Sequence, residues 1–281
     1  MPLSYFYAMF LNNVSALGYI PKRIISLVPS QTELLFSLGL EKETVGITKF
    51  CIHPNQWFQT KTKVGGTKTI NYDTIRQLQP DLIIANKEEN VKEQVEQLAG
   101  NYPVWLTNVN NLADALQMIH DIGELTGKQN KAYSLTKNIS NGFKELDQPQ
   151  THPERSRRAN LKLQTSGFKP RTAYLIWQKP YITIGGDTFI HDMLSKCGFD
   201  NIFADRKRYP ETNISELQTS NLKLLLLSSE PYPFKQKHID ELAELLPGCK
   251  IVLVNGEYFS WYGSRLLEAP GYFKNLSKSY F

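Results

Sequence analysis

Pro21-Lys22-Arg23-Ile24-Ile25-Ser26-Leu27-Val28-Pro29-Ser30-Gln31-Thr32-Glu33-Leu34-Leu35-Phe36-Ser37-Leu38-Gly39 is the stretch that decides the fold. Arg23 to Val28 is a short apolar run that reads as a buried strand, and Pro29 stops it. Helix follows at once. Ser30 and Glu33 stand three apart ahead of an apolar run, the spacing of a capping box, and Gly39 is placed to close the last turn. A strand passing directly into a helix is the repeating unit of α/β architecture.

Working outward, Val45 to Thr48 is a second strand, and a loop from Lys49 to Thr69 carries Phe50, Cys51, His53, Trp57 and the pair Gly65-Gly66. A helix around Asp73 to Leu78, a strand at Asp81 to Ala85, a helix from about Glu89 to Leu98, a strand at Val104 to Leu106 and a helix from Leu112 to Leu125 complete this half. The second half repeats the plan. Strand Thr172 to Trp177 leads to Gly185-Gly186-Asp187-Thr188 and a helix from Phe189 to Lys196, with Asp187 as its expected cap and Gly198 where Gly39 stood. Asn213-Ile214-Ser215-Glu216-Leu217 resembles Asn71-Tyr72-Asp73-Thr74-Ile75, and Asn71 to Glu88 spans seventeen positions, as Asn213 to Glu230 does. The pattern predicts two similar α/β lobes, over 20–127 and 171–281. Between them, in 128–147, Ala132, Leu135, Ile139, Phe143 and Leu146 recur at three- and four-residue intervals, which predicts one long amphipathic helix. A helix without an internal proline resists bending, so a cleft between lobes joined this way is expected to be largely preformed.

Composition bounds the function. A chain of 281 residues buries about 75% of the surface it exposes when unfolded, enough for two lobes without disulfides. Cys51, Cys197 and Cys249 are odd in number and far apart, which suggests neither a disulfide framework nor a cysteine zinc site. The net charge of +5 is localised. Between His152 and Arg171 six basic residues face the single acid Glu154, so the rest of the chain is neutral. The segment 148–170 therefore reads as a basic, disordered, solvated insertion, and nucleic acid is not an expected partner. No run reaches the ~18 apolar residues of a membrane span. The opening Met1 to Leu11 is apolar but has no basic region ahead of it, so an export signal is not recognised there and a cytoplasmic location stays open.

No nucleophile elbow, phosphate-binding loop, dinucleotide fingerprint or His-Glu-x-x-His zinc motif is present, which leaves no motif-level argument for an enzyme. His53 beside Cys51 has two readings: metal-type ligands, or a packed thiol and a hydrogen-bonded imidazole near Pro54. The pairs Gly65-Gly66 and Gly185-Gly186 each precede a helix, as tight turns or as backbone N-H groups offered to a ligand. Tyr258, Phe259, Trp261 and Tyr262 crowd together with Ser260, Gly263, Ser264 and Arg265 among them. The rings serve a core or a ligand surface, and the interleaved polar groups favour the second.

The run from Pro21 to Leu35, then Val45 to Thr48, Val64-Gly65-Gly66 and Leu78 to Ala85, resembles the iron-siderophore and cobalamin class of ABC-transporter substrate-binding proteins, the helical-backbone metal receptors. Gly185 to Ile190 and the Trp-Tyr-Gly-Ser-Arg run are similar to its cobalamin-binding branch. The resemblance covers Pro21 to about Leu276 apart from the basic insertion.

It implies two Rossmann-like α/β lobes joined by a single long backbone helix, with the ligand in the cleft between them. It also implies a non-enzymatic monomer without a cofactor of its own, in the periplasm or cell envelope, which delivers a metal chelate such as cobalamin to an ABC permease. The alternatives are a ferric siderophore or haem receptor, or a cytoplasmic tetrapyrrole or metal-chelate carrier or enzyme. The ligand-facing positions it implies are Phe50, Cys51, His53, Gly66, Thr67, Asn86, Trp177, Gly186, Phe259, Trp261, Tyr262 and Arg265. Thr67 and Asn86 stand where relatives carry rings. The resemblance further implies a carboxylate on each lobe that docks onto the permease, here Asp73 and Glu216.

Overall fold

The computed structural model describes residues 9–146 and 169–278. The basic insertion lies, but for its last two residues, outside the described residues, and the expectation of disorder lies there with it. The chain divides into two compact units. One runs to Ile139 and takes back Trp261–Leu267; the other holds Ser140–Ser260 and the chain from Glu268 onward.

In the first unit β1 (Ile24–Ser26), β2 (Thr44–Ile47), β3 (Thr62–Lys63), β4 (Leu82–Asn86) and β5 (Val104–Thr107) form a parallel sheet in the order β3-β2-β1-β4-β5. The helices between them are α1 (Pro29–Ser37), α2 (Asn55–Thr60), α3 (Tyr72–Leu78) and α4 (Lys92–Ala99), with α5 (Leu112–Leu125) after β5. β1 and β4 are buried along their whole length. Strands covered on both faces need continuous apolar sequence, which Ile24-Ile25 and Leu82-Ile83-Ile84 supply. Ile25, Ile83, Val64, Ile75, Val95 and Val104 meet in one core.

The chain then runs through α6 (Gln129–Leu146), 18 residues long and so roughly 27 Å. Ala132, Ile139 and Phe143, three of the periodic positions, are buried, and the boundary between the units falls inside the helix, after Ile139.

The second unit places β6 (Arg171–Leu175), β8 (Asp200–Asn201), β10 (Leu224–Ser228) and β11 (Lys250–Val254) in a parallel sheet of order β11-β10-β6-β8. β7 (Tyr181–Ile182) and β9 (Glu211–Thr212) make a separate antiparallel ribbon. Its helices are α7 (Phe189–Lys196), α8 (Ile214–Thr219), α9 (Gln236–Leu245), α10 (Glu257–Ser260) and α11 (Ala269–Lys278). The four leucines of β10 are fully enclosed.

Three local expectations change. Pro29 does not stand outside α1; it is the first helical residue, where its missing N-H costs nothing. The capping box is therefore absent: Val28 is the N-cap, with no side-chain cap, and Ser30 already lies inside the helix. Thr188, not Asp187, caps α7, accepting from the His191 N-H at 3.2 Å, because the Asp187 carboxylate takes the Arg208 N-H instead. The loop expected from Lys49 to Thr69 contains α2 and β3. Gly39 and Gly198 do stand just past their helices, at φ of +79° and +88°, the left-handed conformation that closes a helix.

Candidate functional site

In an open parallel sheet, ligands are met beyond the carboxyl ends of the strands where strand order reverses, because neighbouring loops there run in opposite directions and leave a crevice. In the first unit the reversal lies between β1 and β4, in the second between β6 and β10.

At the first unit's edge, the loop after β2 is pinned from within. Cys51 is fully buried and meets the Thr32 hydroxyl at 3.1 Å and the Thr48 hydroxyl at 3.2 Å. Burial pushes its thiol up, away from the thiolate that a metal would need. Cys51 is thus an anchor, against its assignment as a ligand contact. Its neighbours are left outside: Phe50 is 51% and Ile52 45% exposed. Lys49 Nζ lies 5.3 Å from the Phe50 ring centroid. Gly66 backs both, since a Cβ there would press on Phe50 and Lys49. Its own N-H goes to the Thr69 carbonyl at 2.7 Å, so it serves a turn and does not offer that donor to a ligand.

His53 is half-buried, with its ring edge-on to Trp261 at 5.4 Å and 69°. Trp261 is itself buried and carries the Arg265 guanidinium 5.1 Å over its ring. Arg265 is in turn forked onto Glu33 of α1, at 2.5 and 3.2 Å. Arg265 is therefore a structural tie rather than a group waiting for a ligand's polar edge. A Cβ at Gly263 would collide with the Ser30 carbonyl, and Tyr262 is buried beside it in sequence. The segment Trp261–Leu267 thus belongs to the first unit's packing.

Asn86 and Thr67 are also interior. Asn86 donates to the carbonyl and hydroxyl of Thr107 and accepts from the N-H groups of Glu88 and Glu89, which shapes the turn after β4. The Thr67 carbonyl accepts from Asn90 at 3.2 Å. Both side chains are enclosed, and each residue fixes the loop it belongs to.

At the second unit's edge Trp177, 40% exposed, follows β6 and meets Tyr232 edge-on at 5.5 Å. The Tyr232 hydroxyl donates to Gln178 at 3.0 Å. The Glu230 carboxylate, after β10, accepts from the Ser260 hydroxyl at 2.5 Å. Phe259 is fully buried among Tyr174, Tyr272 and Phe273, and so it is core, contrary to its expected place on a ligand wall. Gly185 and Gly186 donate their N-H groups to the carbonyls of Arg208 and Arg206, at 2.7 and 2.9 Å. A side chain at Gly186 would collide with the Ala204 carbonyl, so this glycine answers to chain packing and not to a ligand. Tyr209, in the loop ahead of β9, is 37% exposed. Ile52, Tyr209 and Tyr232 were not expected from the sequence; the alternation of outer Phe50 and Ile52 about inner Cys51 is the one local sign.

The two acids assigned to docking are not equivalent. Asn71 caps α3 by accepting from the Thr74 N-H at 3.0 Å, and Asn213 caps α8 by accepting from the Glu216 N-H at 3.0 Å. Counted from the caps, Asp73 matches Ser215, and Glu216 matches Thr74. Asp73 is 82% exposed, with Arg76 at 3.3 Å. Glu216 is held by a two-point contact with Arg206 and by the Thr212 hydroxyl at 2.7 Å. Partial burial works to raise the Glu216 pKa, but Thr212 and Arg206 together bring it below the ordinary carboxylate value.

A cavity of about 390 Å³ is lined by Leu217, Leu222, Lys223, Leu246 and Cys249, at the amino ends of β10 and β11, away from the carboxyl edge. Burial pushes the Cys249 thiol up to about 11. Among the described residues there is no cluster of three or more histidines, cysteines or acids able to hold a metal ion, and no helix long and apolar enough to cross a membrane.

Residues 24–245 match the model of a protein family described as periplasmic binding protein. Over 222 residues the chain is 23% identical to the vitamin B12-binding protein of Vibrio parahaemolyticus, covering 78% of this chain and 75% of that one. The fold is similar to the crystal structure of the periplasmic vitamin B12-binding protein of Vibrio cholerae, with a TM-score of 0.73 and 20% identity over 92% of this chain and 97% of that one. It is likewise similar to a periplasmic heme-binding protein from Pseudomonas aeruginosa, with a TM-score of 0.75 and 17% identity over 93% of each chain.

Proposed function

This chain belongs to the periplasmic binding protein family, and from that membership we propose that it is the substrate-binding protein of an ABC importer, capturing a corrinoid such as cobalamin for a permease. The observation that carries the reading is the exposed ring at each carboxyl edge, Phe50 in one unit and Trp177 in the other. Large rings left in water beside a crevice are costly unless a ligand covers them, and a macrocycle offers the flat apolar faces that aromatic rings pack against. The relatives that bind vitamin B12 support the corrinoid.

Titration with cyanocobalamin tests this directly. Trp177 lies at the edge, so binding is expected to quench tryptophan fluorescence at micromolar concentration or below. No quench, alongside tight binding of hemin or a ferric siderophore, replaces the corrinoid with the second reading, a haem or siderophore receptor, which the likeness to a heme-binding protein and the half-buried His53 favour. For delivery, Asp73 is the exposed carboxylate available to a basic permease surface, whereas Glu216 is already engaged. The compartment that fits this role is the periplasm or cell envelope, and the chain acts there as a monomer.

A further inference from the structure

We infer that His238 sets the hydrogen-bond polarity of the second unit's carboxyl edge, so that Gln178, next to the exposed Trp177, offers an N-H donor to an acceptor oxygen of the ligand. The inference rests on the receptor reading above. Such oxygens are the amide carbonyls that fringe a corrinoid or the carboxylates of a haem.

Trp177 and Gln178 follow β6, Tyr232 follows β10, and His238 stands in the first turn of α9. β6 and β10 flank the reversal of strand order, and their loops are tied by the Tyr232 N-H to the Ile176 carbonyl at 3.3 Å. His238 is buried, with the rings of Tyr232 and Phe234 edge-on to it at 5.5 and 5.4 Å. The Lys235 N-H reaches His238 Nδ1 at 2.8 Å. A backbone N-H can only donate, so Nδ1 is the bare nitrogen and the neutral ring carries its proton on Nε2. Nε2 lies 3.3 Å from the Tyr232 hydroxyl and therefore donates to it. The hydroxyl, having accepted, turns its own hydrogen to Gln178 Oε1 at 3.0 Å.

The relay runs one way, from the start of α9 to the loop after β6. Gln178 is half-buried, and with its oxygen taken, its amide nitrogen has no hydrogen-bond partner among the described residues. The opposite tautomer would make Tyr232 donate to the imidazole and accept from the Gln178 amide, which would leave the Gln178 oxygen as the group on offer. A ligand without an acceptor there leaves a fixed donor unpaired, and this is how a polar site discriminates.

The test uses the full chain with cyanocobalamin, whose fringe carries neutral amides, and hemin, whose edge carries carboxylates, each followed by tryptophan quenching. Ring-nitrogen NMR is expected to show His238 protonated on Nε2 and bare on Nδ1. Gln178→Glu keeps the size but replaces the donor by an acceptor. It is expected to weaken whichever chelate binds by about tenfold or more, hemin the more strongly because like charges then meet, with the denaturant midpoint unchanged. His238→Asn keeps an acceptor for the Lys235 N-H but loses the donor to Tyr232, and is expected to weaken binding by about threefold. His238→Gln returns that donor and is expected to recover most of the affinity. An imidazole protonated on Nδ1, or a Gln178→Glu chain that binds as tightly as the unaltered one, overturns the inference and leaves the receptor reading standing. Both results stand even where a His238 variant fails to fold. Quenching of the unaltered chain by neither chelate overturns the receptor reading, and the inference falls with it.

Discussion

The two units share a plan and differ in how each finishes its carboxyl edge. Both set a parallel sheet with one strand-order reversal, both start a helix from an asparagine cap, and both follow an early helix with a left-handed glycine. The second builds its edge from its own residues, with Phe259 sunk among Tyr174, Tyr272 and Phe273. The first borrows Trp261–Leu267 from far along the chain and locks it to α1 through Glu33 and Arg265. Repetition therefore accounts for the frame, and the unrepeated piece accounts for what stands behind His53.

The largest effect that bears on this contrast is expected at the core ring. Phe259→Ala removes a fully buried aromatic and is expected to cost about 4 kcal/mol, read from a denaturant midpoint. A cost within that of a surface change would put Phe259 on an exposed wall after all. Arg265→Ala strands Glu33 in a mostly enclosed pair, with side-chain exposures of 13% and 19%, at an expected cost of about 3 kcal/mol. Arg265→Lys keeps the charge but loses the fork and is expected to fall between. If Arg265→Ala leaves stability intact and only ligand affinity drops, Arg265 is a ligand contact and the borrowed segment is not a tie.

For the exposed rings, Phe50→Ala and Trp177→Ala are each expected to weaken ligand by about 2 kcal/mol, roughly thirtyfold, with an unchanged denaturant midpoint. Equal losses sharpen the picture of two matched edges; a loss at one alone breaks it.

The acids give the smallest effects on stability. Glu216 has its pKa lowered on folding from 4.5, so its contribution is present above about that pH and is lost as pH falls through the lower folded value. Glu216→Gln is expected to remove that part of the acid limb and less than about 1 kcal/mol at neutral pH, since the pair is partly open to solvent. Asp73→Ala is expected to change stability by under about 0.5 kcal/mol and ligand affinity not at all, while lowering transport into permease-containing vesicles. Equal transport loss from Glu216→Gln would restore the two acids to equivalence.

What could be read beforehand follows from the range of the interaction. Helices set by local periodicity, Leu112–Leu125 and Phe189–Lys196, appear in the structure with the bounds their pattern predicts. α2 was hidden because six residues after Pro54 are too few to show a period, and its N-cap has no capping side chain. Asp187 and Thr188 are both good caps, and only the demand of the Arg208 N-H decides between them. Glu33 looked like a capping acid because its true partner lies 232 positions away; no window of sequence contains both. The exposure expected for Phe259 and the open charge expected for Arg265 fail for the same reason, because tertiary packing sets their surroundings, whereas the exposure of Phe50 and Trp177 follows from their being rings in loops that follow strands.

The borrowed segment also governs how this polypeptide can be taken apart. A fragment ending at the close of α6 would carry Glu33 without its guanidinium and His53 without the indole behind it, while the remaining fragment would carry both in a loop stripped of the surface it packs on. Neither piece is an autonomous building block. A circular permutant that opens the chain within α6 but keeps Trp261–Leu267 continuous on both sides preserves what a clean bisection destroys.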